Sequence, residues 1–320
     1  MVQASVVTFG SATPGQEVAT GNLVLTQETV ERYLEAIEAS SAVLGAEPGR
    51  APPMALAAAS FRLLIESVSL PSGTMHLAQQ LRFLAPALVG VPLRPRARVA
   101  QKLARGAGTA IALEHSVLTE EGNVCLSGRA LLLVPSEPAS PLSPLAGGVQ
   151  VEGRDTGDPA AGGLLHDGDR VRPPLPGGHG DPAAAARLGG PGDGLMPVVR
   201  EITTEKIRRY ARASGDFNPV HLDETFARGT PFGGIVAHGM LLLAYVAEVM
   251  ERAFGSGWRQ GGGMDVRLRA AARPGDVVES AGVWQQTRAA PEGTIAECKV
   301  ACLSQRGETL VAGRAWARLT

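Results

Sequence analysis

Aromatic residues make up only 4% of this 320-residue chain, cysteines number three, and neither sign of charge prevails, with 30 Lys plus Arg against 31 Asp plus Glu. Each scarcity excludes something. A net charge of −1 gives no electrostatic basis for nucleic acid or an anionic membrane as partner, and neither is expected. Cys125, Cys298 and Cys302 are odd in number and widely spread, which is no disulfide framework and points to a reducing compartment, the cytoplasm by default. No basic segment followed by a continuous apolar stretch opens the sequence, so no secretory signal is expected. The longest apolar run, Ile235 to Met250, is broken by His238 and Glu248 and falls short of the roughly 20 residues of a membrane-spanning helix. A buried helix is expected there.

What remains, 44% hydrophobic and 19% charged, is an ordinary globular chain long enough for two domains of roughly 150 residues. Between Ser136 and Pro197 lie 14 Gly and 10 Pro, a stretch that cannot bury a core of its own and that divides the chain. The two parts repeat one another. Leu81-Arg82-Phe83 matches Val266-Arg267-Leu268, Glu120-Glu121-Gly122 matches Gln305-Arg306-Gly307, and Gly128-Arg129-Ala130 matches Gly313-Arg314-Ala315, all at an offset of 185. Earlier, Leu25-Thr26, Glu28 and Arg32-Tyr33 match Ile202-Thr203, Glu205 and Arg209-Tyr210 at 177, so the second copy carries eight extra residues after Tyr210. Earlier still, Pro14 to Val18 pairs with Asp167 to Val171 at 153, which predicts a first strand at Gly168 to Pro173 and an insertion at about 177–196. The expected organisation is an N-terminal domain over 1–135, a linker over 136–165 and a C-terminal domain over 166–320.

Each copy has the same order of elements. A short strand leads to a helix opening at a Thr N-cap, Thr26 or Thr203, with Glu two residues on. A loop follows, then a long helix apolar on all sides, Met54 to Val68 or His238 to Phe254. Extended runs complete each copy: Leu81 to Leu84, Arg96 to Leu103, Ile111 to Leu118 and Val124 to Val134, then Val266 to Ala270, Val277 to Gln286, Thr294 to Ser304 and Thr309 to Leu319. An antiparallel sheet wrapped around one buried helix, twice over, is the simplest α+β packing of these elements.

The extra segment of copy two holds the densest polar cluster: Ser214, Gly215, Asp216, Asn218, His221 and Asp223, with His238-Gly239 at the start of the apolar helix. Pro219 biases Asn218 away from helical angles, which sets Asp216 and His221 on a loop able to turn both inward. A carboxylate and an imidazole converging on one point hold a water, orient it and exchange protons with it near neutral pH. The helix beginning near Gly239 offers free N–H groups to an enolate oxygen. A calcium loop from Asp216, Asn218, Asp223 and Glu224 fails because His221 stands where the turn needs glycine. Zinc on His221, His238, Cys298 and Cys302 lacks ligand spacing. No metal and no cofactor are assigned.

The string Tyr210 to Asp223, YARASGDFNPVHLD, continued by Phe226-Ala227 and Ile235-Val236-Ala237-His238-Gly239-Met240-Leu241, resembles the hydratase motif of MaoC-like dehydratases and R-specific enoyl-CoA hydratases. The likeness runs from about Val199 to Thr320. It implies a double hotdog fold whose first half is the degenerate partner, an internal pseudo-dimer with further dimerisation left open. It also implies a thioester substrate, acyl-CoA or acyl-carrier protein, and interconversion of trans-2-enoyl and (3R)-3-hydroxyacyl thioesters. By the same resemblance Asp216 and His221 are the catalytic pair and Gly239 the oxyanion-hole amide. Asn218, Ser214, Gly215, His238 and Met240 bind substrate or support the loop.

Two rivals stand beside this reading. A non-catalytic acyl-thioester binder gains little from two titratable groups facing an apolar tunnel. A thioesterase needs a carboxylate on or beside the central helix, and Gly239 to Tyr245 carries none. In copy one, His76 and His115 have no chemical companions and are expected at the surface or across strands, while His166 and His179 fall in the linker and insertion. The alanines Ala55, Ala57, Ala58 and Ala59 leave room for an acyl tail, and Arg209, Arg267, Arg269 and Arg273 are the candidates for substrate phosphates.

Overall fold

The computed structural model describes residues 7–18, 21–39, 49–106, 108–136, 189–291 and 293–319. The first half runs β1 (Glu17–Val18), β2 (Leu23–Val24), α1 (Gln27–Ile37), β3 (Arg50–Ala51), α2 (Pro53–Ser67), β4 (Met75–Phe83), β5 (Ala87–Leu88), β6 (Pro92–Arg105), β7 (Gly108–Leu118) and β8 (Val124–Pro135). The second runs β9 (Gly194–Glu201), α3 (Thr204–Ser214), a single 3-10 turn (Pro219–His221), α4 (Glu224–Arg228), α5 (Gly239–Phe254), α6 (Ser256–Arg259), β10 (Gly263–Leu268), β11 (Val277–Ala290), β12 (Gly293–Ser304) and β13 (Thr309–Arg318).

Local chemistry starts and stops the helices. Thr26 Oγ1 accepts the Thr29 N–H at 3.1 Å, and Thr203 Oγ1 accepts the Lys206 N–H at 3.1 Å, the two expected N-caps. Gly215, at φ 74°, ends α3 in the left-handed region that glycine enters without strain. In α5 every residue from Met240 to Glu251 is buried, Glu248 included. That carboxylate is answered by Arg200 at 2.9 Å and Arg252 at 2.5 Å. Losing either partner would leave a buried charge unpaired.

Eleven strands form one antiparallel sheet in the order β1-β6-β7-β8-β4-β10-β13-β12-β11-β9, with β2 also on β6. The halves join through β4 and β10, where Gln80 stands opposite Asp265, its repeat equivalent at offset 185, and donates to its carboxylate at 3.3 Å. A pseudo-twofold axis therefore passes through this pair. Tyr33 and Tyr210, equivalents at 177, likewise meet each other, ring centroids 6.2 Å apart, where α1 lies against α3. Helix α2 packs on β7 and β8, and α5 on β9, β11, β12 and β13. This is the double hotdog that the repeat and the motif lead one to expect.

The first strand of copy two departs from expectation. Glu17 pairs with Arg98 and Gly194 pairs with Val283, and likewise Leu23 pairs with Leu93 and Arg200 with Val278. Strand β9 thus stands to β11 as β1 and β2 stand to β6, at the offset of 177 that also relates the helices behind them. The physical register is set by ladder bonding to a long central strand, which the short match at 153 did not capture. Residues 194–196 belong to β9, not to an insertion. Gly168 to Pro173, 177–188, His166, His179 and all but the first residue of the linker lie outside the described residues.

Candidate active site

The chain leaves α3 through a sequence of side-chain-to-backbone bonds that place the loop. Ser214 Oγ donates to the Tyr210 carbonyl at 2.8 Å and accepts the Asp216 N–H at 3.3 Å. Gly215 reverses the chain, and a side chain there would run into Arg62 of the first half. Asp216 Oδ1 then accepts the Asn218 N–H at 3.2 Å, a turn in which an aspartate bonds the backbone two residues on. Asn218 Oδ1 caps the 3-10 turn at the Val220 N–H (3.4 Å) and also accepts the Gly73 N–H at 3.1 Å, while its Nδ2 donates to the Thr74 carbonyl at 3.4 Å. The loop is therefore pinned to both halves.

Two imidazoles complete the cluster. His221 Nδ1–H donates to the Val236 carbonyl at 2.8 Å, and His238 Nε2–H donates to the Asp216 carbonyl at 3.0 Å. Because a carbonyl only accepts, these bonds assign the tautomers and leave a lone pair on His221 Nε2 and on His238 Nδ1. The rings stack with centroids 3.8 Å apart at 30°, and Tyr210 packs on His238 at 5.0 Å. Asp216, His221 and His238 each offer an atom within 4.8 Å of the others'. Burial pushes the His221 pKa below its ordinary value while the Asp216 charge draws it back up. His238, shut from solvent and beside His221, is driven further down. It does not cap α5. It holds the loop through the Asp216 carbonyl.

Bonding within α5 begins with the Leu241 N–H on the His238 carbonyl at 3.1 Å, so the Gly239 and Met240 N–H groups have no partner inside the helix. A Cβ at Gly239 would meet Leu268 at 2.3 Å and His76 Nδ1 at 3.3 Å. The glycine is needed because the other half's strand comes this close. Before these groups opens a cavity of about 340 Å³, walled by Phe61, Ile65, Leu70 and Leu132 of the first half and by Asp216, His221, Gly239, Met240 and Leu268 of the second. The pseudo-symmetric position, between Pro53, Leu56, Phe83 and Arg259, holds about 20 Å³. A carboxylate and an unprotonated imidazole facing bare helix N–H groups can hold a water, take a proton from it and stabilise an oxyanion opposite.

Several expectations are corrected. His76 and His115 are neither surface residues nor without companions. His76 Nε2 donates to Gln79 Oε1 at 3.0 Å and its ring stacks on Phe61 at 4.7 Å at the cavity wall. His115 Nδ1 bonds Ser60 Oγ at 2.8 Å in the core. Burial takes both pKa values down to about 4. Ala55, Ala57 and Ala58 are buried but do not line the cavity, nor does Ala59, because α2 turns its Phe61, Arg62 and Ile65 face there instead. Of the four arginines only Arg269 reaches the cavity wall; Arg273 is spent on the Phe232 carbonyl at 2.5 Å. Arg62 and His76 are site residues that inspection of either copy alone misses, since they come from the opposite half. Cys298 and Cys302 lie in β12, away from His221 and His238, with burial raising both thiols to about 12.

Comparison with known proteins agrees with this geometry. Residues 191–294 match the family model described as MaoC like domain. A 3-hydroxybutyryl-CoA dehydratase of Methylorubrum extorquens is 33% identical over 87 residues, 27% of this chain and 55% of that protein. The chain thus aligns with about half the length of that curated relative. Among solved structures, a putative MaoC domain protein dehydratase from Chloroflexus aurantiacus superposes with a TM-score of 0.69 at 13% identity, over 99% of this chain and 98% of that one. A Mycobacterium tuberculosis protein described as a double hotdog gives 0.63 at 16% identity, over 97% and 98%. These two likenesses concern the fold.

Proposed function

Residues 191–294 of this chain are a MaoC-like dehydratase domain within a double hotdog, and from that premise we propose that the protein is a hydro-lyase interconverting trans-2-enoyl and (3R)-3-hydroxyacyl thioesters. The observation that carries the reading is the meeting of the Asp216 carboxylate and the His221 imidazole at the inner wall of a cavity that also holds the bare N-terminus of α5.

In the hydration direction, the thioester oxygen rests on the Gly239 N–H, which draws electron density from the double bond. Water held between Asp216 and His221 Nε2 attacks the β-carbon and gives up a proton to this pair. A proton reaches the α-carbon on the same face, so that H and OH add syn and the pair returns to its starting state. Dehydration is the reverse. His238 acts through Asp216, whose carbonyl it fixes, and is a positioning residue. Asn218, Ser214 and Gly215 shape the loop, and Met240 lines the cavity beside the oxyanion site.

Acyl-CoA is the substrate we favour, because the relative named above is a CoA-thioester dehydratase. The three unpaired cysteines suit a reducing compartment, and we place the protein in the cytoplasm. Among the described residues no helix is long and apolar enough to cross a membrane. The test is a panel of enoyl-CoA and enoyl-carrier thioesters with chiral analysis of the product. An R hydroxyacyl product supports the assignment, an S product rejects it, and the carrier arm decides between the two thioester classes.

A further inference from the structure

Asp216, His221 and His238 converge as one carboxylate and two imidazoles, each offering an atom within 4.8 Å of the other two. Two ligands of a tetrahedral zinc ion stand about 3.3 Å apart, given bonds of about 2.0 to 2.1 Å. Small rotations of the Asp216 side chain span the difference. The nitrogens are prepared for a cation. His221 has its Nδ1–H committed to the Val236 carbonyl at 2.8 Å, which turns the lone pair of Nε2 outward. A backbone carbonyl behind a histidine in this way is the usual outer support of a metal-bound imidazole. His238, 1% exposed, keeps a lone pair on Nδ1 that finds no donor. A buried acceptor left unpaired costs about 1 to 3 kcal/mol, and a cation is one means of relieving it. Three protein ligands with a fourth position open to a cavity are the pattern of an accessible zinc site.

We infer that Asp216, His221 and His238 bind one zinc-class divalent cation, which takes the seat of the reactive water and reversibly arrests turnover. Binding itself is independent of the proposed activity, and only the arrest rests on it. None of the three cysteines belongs to this cluster, so the ligand set is N and O alone.

The test is calorimetric titration of ZnCl2 into the metal-free full chain, with Co2+ as the spectroscopic probe and enoyl-thioester hydration as the activity readout. One equivalent per chain is expected, with visible bands of tetrahedral Co2+, no sulfur-to-cobalt charge transfer, and inhibition that chelator reverses. Asp216→Asn, which keeps shape, and His238→Ala should each weaken binding by about 100-fold or more, with thermal unfolding of each variant as the fold control. Unchanged affinity in both variants, a sulfur-to-cobalt band, or no binding at millimolar zinc would overturn the inference. A chain that binds zinc but hydrates no enoyl thioester would instead count against the proposed function alone.

Discussion

The Oδ1 of Asn218 accepts the N–H of Gly73 at 3.1 Å, a bond spanning 145 positions that ties the loop carrying Asp216 and His221 to a turn of the opposite half. The non-catalytic half thereby sets the geometry of the catalytic one. Asn218→Ala removes this bond, the Thr74 contact and the Val220 cap together. The expected outcome is a fall in kcat of about 10- to 100-fold with an unchanged circular dichroism spectrum, each lost bond being worth about 1 kcal/mol. A kcat within twofold of wild type would show that the loop holds its shape without Asn218.

Asp216→Asn should lower the rate of crotonyl-CoA hydration by about 10² to 10³ while the thermal midpoint stays within a few degrees. The amide keeps the volume and the bond to the Asn218 N–H but cannot carry the negative charge that orients water against His221. Near-normal turnover would remove Asp216 from the chemistry.

Stability should decline on mild acidification. The folded pKa values of His76 and His115, about 4, lie below the ordinary 6.5, so between these limits the unfolded chain binds protons that the folded chain refuses. Stability is fully present above about pH 6.5, falls as pH drops towards 4, and levels off below. For His115, deep in the core, the loss by pH 5 is about 2 kcal/mol; for His76, which borders the cavity, it is less. Urea unfolding at pH 7 and pH 5 measures this, and His115→Gln should flatten the slope. Equal stability of the wild type at both pH values would contradict it.

Chain-length preference should follow the first-half wall of the cavity. Leu132→Phe is expected to reduce activity on long enoyl-CoA substrates relative to crotonyl-CoA by about tenfold, as a one-side-chain change in an apolar pocket typically does. Ala58→Phe, buried away from the cavity, should cost about 1 to 3 kcal/mol of stability by overpacking and leave the length preference unchanged. The opposite pattern would relocate the tail to the alanine face of α2.

Much of this was legible in the residues alone. The offset of 185 already identifies Gln80 with Asp265, the pair on the symmetry axis, and Thr26 and Thr203 announce their helices by cap chemistry. The loop from Ser214 to Asp223 is legible because its bonds are local, each side chain reaching a backbone group a few positions away. His76, Arg62 and Gly73 were not, because their partners sit 139 or more positions off, across a strand pairing that no local pattern encodes. The first strand of copy two was misplaced for a related reason: its register is fixed by β11, far along the chain.

The seam between β4 and β10 has the form of a contact between two identical molecules, with one residue of each repeat facing its own counterpart. Covalent fusion frees the two sides from having to match. A symmetric ancestor would present two equal clefts, whereas this chain has closed one almost completely and enlarged the other. Sequence drift in the first half can therefore retune what the remaining cleft admits without touching the residues that perform the reaction.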